Sequence, residues 1–421
     1  MRRYIVKGGK RLCGKVRISG NKNAALPCLA ATLLTDEKVH LDNIPDILDV
    51  CVMKNLLLEL GSEIEGNDFV SHVQFNGLSA NLVDSVRGSI LLVGPLLARG
   101  ESVIIPPPGG DVIGLRRLDT HFLGLSALGA ECTINSKGYL ILSTSGRLKG
   151  SDIFLDEASV TATENVIMAA VLAEGRSTIY NCACEPHVQD LCHMLVAMGA
   201  NIRGIGSNLL TIEGVEALHG TSFRIGSDYM ELGSFIGLAA VTGGELLLTD
   251  VDTPFLRPLE LGFEKLGITF EKRGNSVYVP SEQRRIIQKT YLGGTNKLDD
   301  APWPGFPADL LSIMTVTATQ MSGSILIHEK MFESRMYFID YLIRLGADIV
   351  LCDPHRAVVN GRSRLHSGVV TSPDVRAGMA LVIAALCADG ECIIENIEQI
   401  ERGYEDLLGK LRSIGAEISE N

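Results

Sequence analysis

At 421 residues the chain exceeds what one compact core usually holds, and two domains are expected. Hydrophobic residues make up 46% and charged residues 21%, an ordinary globular composition, while a formal net charge of −12 argues against a general nucleic-acid or anionic-membrane surface and leaves room for a local basic pocket. No stretch approaches the ~20 uninterrupted apolar residues of a membrane span, and no apolar run follows the arginines of MRRYIVKGGK, so neither an anchor nor a signal peptide is expected.

In chain order, the first distinctive segment is ISGNKNAALP, which sets Lys22 between two asparagines just before an apolar helix. Asn21 or Asn23 could cap that helix. A lysine at a helix N-terminus opposes the helix dipole unless an anion joins it, so Lys22 with the local N–H groups could equally clamp a phosphate or carboxylate. SVRGSILLVGPLLARG then carries Arg87 ahead of a second apolar helix, where a snorkelling surface arginine is the plainer reading. PPPGGDVIGLRRLDTH follows, a loop rich in proline and glycine with Asp111 after it and Arg116 and Arg117 expected in the first turns of the next helix. Further on, WPGFPADLL places Asp309 after a proline-rigid turn, where it could be a simple cap. SPDVRAG puts Asp374 and Arg376 before another apolar helix, and IERGYEDLL contains Arg402.

Two signatures interleave along the whole chain. LGSEI, LGAEC, MGANI, LGITF, LGADI and IGAEI begin at 60, 128, 198, 266, 345 and 414, and each ends an amphipathic helix. In the second copy Leu115, Leu118, Phe122, Leu125 and Leu128 would form the apolar stripe. The glycine suits the left-handed position after a helix, and a strand-like run follows. Between these copies lie all-apolar helices that each run into a turn and a strand, as in MAAVLAEGRSTIY and LVIAALCADGECII. Six α/β units of about 70 residues result, too large for the usual solenoid repeat, and two pseudo-threefold α/β domains with a ligand cleft between them are expected. Basic residues recur at the starts of these helices; converging on one cleft, they would bind a small phosphorylated anion through charge-assisted hydrogen bonds.

Ten cysteines are scattered without paired C-x-x-C spacing or a nearby histidine cluster, which reads as free thiols in a reducing cytosol rather than disulfides or a metal site.

Taken together, ISGNKNAALP, PGGDVIGLRRLDTH, SVTATENVIMAA, FPADL, DVRAG and RGYEDL resemble the enolpyruvyl transferase family, over essentially the whole chain. The resemblance implies two inside-out, barrel-like α/β domains of three repeats each with the active site in the interdomain cleft. We place the boundaries so that 1–21 and 230–421 form a discontinuous C-terminal domain, and 22–229 an N-terminal domain carrying a mobile loop, 106–117. It also implies transfer of enolpyruvyl from phosphoenolpyruvate to the 3′-hydroxyl of UDP-N-acetylglucosamine, with release of phosphate, as the first committed step of peptidoglycan synthesis in the cytoplasm. No metal or cofactor is implied. By the same resemblance Lys22 and Arg116 would bind the phosphate, and Arg335, Arg376 and Arg402 the phosphoenolpyruvate end and its carboxylate. Asn23 and Asp309 would contact the acceptor sugar, with Asp309 handling the hydroxyl proton. Arg87, Arg116, Asp119 and Ser159 would lie along the nucleotide sugar.

The loop of family members usually carries a cysteine that handles a proton and is alkylated by fosfomycin; here the residue is Asp111. Free cysteine, with a pKa of about 8.5, is protonated at neutral pH, whereas free aspartate at about 3.9 is not. Holding Asp111 half protonated at pH 7 costs about 4 kcal/mol. Closure over a trianionic substrate pushes that way by desolvation and like-charge repulsion. A carboxylate is a poor target for an epoxide, so fosfomycin insensitivity is expected. Glu157, Thr161 and Trp303 also depart from residues common in the family. They leave two alternatives open: an acceptor that is another uridine nucleotide, or a non-catalytic nucleotide-sugar sensor.

Overall fold

The computed structural model describes residues 2–110 and 117–421. The chain divides into two compact units, one comprising the residues up to Ser19 with Ser227–Asn421, the other the described residues from Gly20 to Gly226. Each has its own hydrophobic core, and the two sets of core residues do not overlap.

Both units use one plan. In the Gly20–Gly226 unit the helices Lys22–Ala31, Val93–Ala98 and Val160–Ala170 are buried on nearly every side. The segment from Arg87 to Ala98 packs against both of the others. In the other unit Tyr229–Thr242, Leu311–Thr319 and Val375–Cys387 play this part and pack pairwise. Such helices are apolar all round because no face of them meets water. Sheets lie outside them: among the described residues each unit has three, five of the six sheets having four strands. Strands such as Leu209–Glu213 bury alternate residues, as expected of a sheet with one covered face.

Three of the buried helices are crossovers within one sheet. Asp152–Phe154 and Arg176–Tyr180 pair in parallel, and the helix Val160–Ala170 links them. Asn296–Asp299 with Gly323–His328, and Val369–Thr371 with Glu391–Glu395, repeat the arrangement. Parallel strands need a connection of this length. At two places where the described chain passes between units the pattern is exchanged. Cys13–Arg17 pairs with Glu245–Thr249, yet the helix after it, Lys22–Ala31, belongs to the other unit. Ser222–Arg224 pairs with Val39–Asp42, and the helix after it, Tyr229–Thr242, crosses back.

The six recurrent signatures fall where the periodicity places them. Helices Leu48–Glu59, Asp119–Ala127, Pro186–Ala197, Arg257–Lys265, Ile339–Arg344 and Leu407–Ser413 are each followed, two residues on, by a glycine with φ between 72° and 102°. That left-handed turn ends the helix and aims the chain into the next strand. One boundary differs from expectation. The second of these helices starts at Asp119 rather than near Leu115, and Arg117 precedes it. An aspartate in the first turn suits the positive end of the dipole, where an arginine would be unfavourable.

Candidate active site

In the unit containing the C-terminus, three of the expected residues meet. Arg335 Nη1 donates to Asp309 Oδ1 at 2.7 Å, and Arg376 Nε donates to Asp309 Oδ2 at 3.2 Å. Both guanidinium groups are almost wholly buried, and Asp309 is partly open to solvent. Asp309 is therefore not a helix cap; it is the shared counter-charge of two arginines. The N-cap of the Arg376 helix is Asp374, whose side chain accepts the N–H groups of Arg376 and Ala377. Each guanidinium also faces an aromatic ring, Arg335 over Phe332 at 4.5 Å and Arg376 over Tyr404 at 5.5 Å. Tyr404 hydroxyl lies 2.8 Å from Ser234 Oγ, which donates in turn to the Met230 carbonyl. Gly403 sits against Val375, so Arg402 stands beside the first turn of the Arg376 helix, its Nη1 donating to Gln399.

Burial disfavours both arginine charges. For Arg335 the attraction of Asp309 and Glu329 outweighs it, and for Arg376 that of Tyr404, Asp309 and Asp228, so both pKa values lie above the ordinary one. Among the described residues nothing accepts a hydrogen bond from the buried Arg335 Nε or Arg376 Nη1. Unpaired buried donors cost about 1–3 kcal/mol each. Two nearly desolvated guanidinium groups with donors to spare form a receptor for a carboxylate or phosphate.

In the Gly20–Gly226 unit, Asn21 caps the first buried helix by accepting from Asn23 and Ala24 N–H, leaving Lys22 and Asn23 half-buried in its first turn. The anion that Lys22 requires is supplied by Asp49, at 2.7 Å, from the first turn of the next helix. Arg87 begins the second helical segment and donates from Nη1 to the Pro108 carbonyl. Gly109 and Gly110 press on the same place. A Cβ on Gly109 would come 1.7 Å from the Asp84 carbonyl oxygen, and one on Gly110 2.8 Å from Arg87 Cβ. Glycine is thus required where the proline-rich loop crosses Asp84 and Arg87. Ser159 caps the third buried helix through the Ala162 N–H. Asp119 is exposed at its helix N-terminus.

Behind these residues lies a buried polar chain. Gly94 N–H donates to Asn165 Oδ1, which fixes the amide so that Asn165 Nδ2 donates to the Ile90 carbonyl and to His121 Nδ1. His121 Nδ1 is then the acceptor, and Nε2–H donates to Thr161 Oγ1 at 3.1 Å. Burial, with a smaller push from the Arg87 charge, lowers the His121 pKa to about 3, so the ring is neutral.

A family model described as EPSP synthase (3-phosphoshikimate 1-carboxyvinyltransferase) matches residues 6–411. The chain belongs to this carboxyvinyltransferase family. A relative from Treponema denticola, a UDP-N-acetylglucosamine 1-carboxyvinyltransferase, is 57% identical over 99% of both chains. Proteins of the same name from Borreliella burgdorferi and Porphyromonas gingivalis are 54% and 48% identical, each over all of this chain and 99% and 100% of their own. Among solved structures, the enolpyruvyl transferase NikO from Streptomyces tendae superposes over 100% of this chain and 99% of its own, with a TM-score of 0.87 at 22% identity. EPSP synthase from Acinetobacter baumannii does so over 100% of both, with a TM-score of 0.76 at 16% identity. Those two likenesses establish the fold, two units of mixed α/β structure.

Within this carboxyvinyltransferase, the arginines and acids singled out from sequence fall into two sets. Asp309, Arg335, Arg376 and Arg402 gather at the start of the Val375–Cys387 helix; Lys22, Asn23, Arg87 and Ser159 occupy the starts of the three buried segments of the other unit. Asp111 and Arg116 lie outside the described residues. Sequence reasoning missed the parts played by Asp49, His121, Asn165 and Tyr404, whose partners are remote in the chain. RRLDTH, SVTATEN and RGYEDL contain three of them, but what pairs with each is set by burial and packing, which no short segment shows. Among the described residues no group of three or more His, Cys, Asp or Glu side chains is arranged to hold a metal ion, and all ten cysteines are free.

Proposed function

We propose that the chain transfers the enolpyruvyl group of phosphoenolpyruvate to the 3′-hydroxyl of UDP-N-acetylglucosamine, releasing phosphate, as the first committed step of peptidoglycan synthesis. The observation that carries the donor end is the Asp309 carboxylate held between the buried guanidinium groups of Arg335 and Arg376. The names of full-length relatives at 48–57% identity support the acceptor.

The chemistry follows from charge exchange at that carboxylate. A substrate carboxylate or phosphate offers the two arginines bidentate partners. When it takes them over, Asp309 is released to accept the proton of the acceptor hydroxyl. The hydroxyl oxygen bonds to C2 of phosphoenolpyruvate while C3 gains a proton, giving a tetrahedral adduct. Loss of the C3 proton and cleavage of the C2–O bond to phosphate regenerate the double bond, and phosphate leaves with the proton that came from the hydroxyl. Lys22 and Arg116 hold the phosphate, Arg335, Arg376 and Arg402 the donor carboxylate end, and Asn23, Arg87, Asp119 and Ser159 the nucleotide sugar. Asp111 gives and regains the C3 proton.

Phosphate release from phosphoenolpyruvate, followed with and without UDP-N-acetylglucosamine from about pH 5 to 9, tests this reading. Acceptor-dependent release is expected; binding without turnover would replace the reading with a sensor. Fosfomycin should cause no time-dependent loss of activity and no adduct, and Asp111→Cys should acquire both. Inactivation of the natural chain would remove the role given to Asp111.

A further inference from the structure

Two carboxyl groups that the proposed reaction does not use lie fully buried beside Arg335. Asp300 follows the strand Asn296–Asp299, and Glu329 follows its parallel neighbour Gly323–His328; both have no solvent exposure. Between them they hold three successive backbone N–H groups of the turn that leads to Arg335. Asp300 accepts from Lys330 at 2.6 Å and from Met331 at 3.2 Å; Glu329 Oε1 accepts from the same Met331 N–H at 3.2 Å and from Phe332 at 3.1 Å. Because one N–H reaches both, the two carboxyl groups are neighbours. Glu329 is pinned by its backbone as well, its N–H donating to the His355 carbonyl and its own carbonyl accepting from His355 Nδ1. Phe332, the last residue of the turn so held, stacks on the Arg335 guanidinium, which holds Asp309.

Two ionised carboxylates cannot share a dry site of this kind at acceptable cost. The other groups around Glu329 offset the repulsion only in part: Arg335, already paired with Asp309, favours the charged form, while His355 meets its backbone, Lys330 turns outward to Asp299, His328 lies on the strand before it, and Arg356 is committed to Asp353. Among the described residues no donor group reaches the buried Glu329 Oε2, a costly position for a charged oxygen. Burial first, and then contact with Asp300, push the Glu329 carboxyl up to about 9.

We propose that Glu329 and Asp300 share a single proton and that this half-neutralised pair is a positioning device, holding residues 330–332 so that Arg335 is presented to the anionic donor. The part concerning the donor rests on the reading of the function given above; the shared proton and the held turn do not. The test is therefore made first without substrate. The infrared difference between the natural chain and Glu329→Gln at pH 7 should show the carbonyl stretch of a neutral carboxylic acid, and its absence overturns the shared proton. Hydrogen exchange at the Met331 and Phe332 amides should stay slow in Glu329→Gln, whose amide copies the acid, and rise at least about tenfold in Glu329→Ala; equal protection in both overturns the positioning role. In turnover, Glu329→Gln should keep KM for phosphoenolpyruvate within about threefold and lose the decline toward pH 9, whereas Glu329→Ala should raise KM about tenfold or more with a smaller effect on kcat. Superimposable pH profiles for the natural chain and Glu329→Gln count against the proposal. Absence of turnover in the natural chain instead sinks the functional reading and leaves the two substrate-free results to decide this one.

Discussion

Two guanidinium groups on one carboxylate make Asp309 a weak base until an anion competes for them. Asp309→Asn is expected to lower kcat by ~10²–10⁴-fold, the usual worth of a positioned proton acceptor, with a smaller change in the KM for phosphoenolpyruvate. Steady-state kinetics on both substrates checks this; an unchanged kcat would leave Asp309 as a counter-ion only. His121 gives a second prediction at this scale, about pH. Its folded pKa is lowered to about 3, from 6.5 when unperturbed. Between those values the unfolded chain binds the extra proton, so stability from this group is present above pH 6.5 and lost as pH falls toward 3, by up to about 1.4 kcal/mol per pH unit. His121→Gln should flatten that acid limb in urea denaturation from about pH 7 to 4. Glu329 has the opposite sign. A carboxyl raised by burial stabilises the fold below its unfolded pKa, and the contribution is lost as pH rises toward its folded value. Of these residues Asp309 and Arg376 were legible as motif members and Arg335 through the family resemblance, whereas the titration of His121 and Glu329 was not legible. Their behaviour comes from desolvation, which depends on what packs over a side chain and not on its neighbours in sequence.

At the scale of elements, the six glycines after the amphipathic helices share one backbone conformation but not one environment. Around Gly129 a Cβ would meet nothing within 4 Å, so Gly129→Ala should cost only the left-handed strain, about 1–2 kcal/mol. At Gly61 the same atom would lie 2.5 Å from the His72 carbonyl oxygen. Gly61→Ala should therefore be the more damaging, and denaturation midpoints of the two variants compared side by side measure the difference. Equal losses would show that the segment at His72 yields at little cost. The buried helices depend on caps for a related reason. Their first N–H groups are shut away from water, and Asn21, Ser159, Asp228 and Asp374 each answer some of them. In sequence each could be read as a cap or as a functional polar residue. Geometry separates these roles for Asn21, which caps, and Asp309, which does not.

For the whole molecule, two separate cores predict two separable unfolding events. Trp303 is the sole tryptophan and lies in the unit that contains the C-terminus, edge-on to Tyr229 and Phe255. Its fluorescence should follow that unit alone, while far-ultraviolet circular dichroism follows both. Non-coincident urea transitions are expected; superimposable ones would mean that the units unfold as one. The exchange of crossover helices at residues 19–20 and 226–227 also means that cutting the chain between the units leaves each with a strand whose following helix is elsewhere.

By itself the sequence determined the six-unit plan, because hydrophobic period, helix-ending glycines and all-apolar crossovers are properties of short segments. It also held enough motif to name the residues expected to meet the substrates. Only tertiary structure decided the partnerships: Lys22 with Asp49, Asp309 with Arg335 of its own repeat and Arg376 of the next, His121 with Asn165, and Glu329 with Asp300. Charged and hydrogen-bonding groups choose partners by distance in space and by exclusion of water, and neither quantity is written in local periodicity.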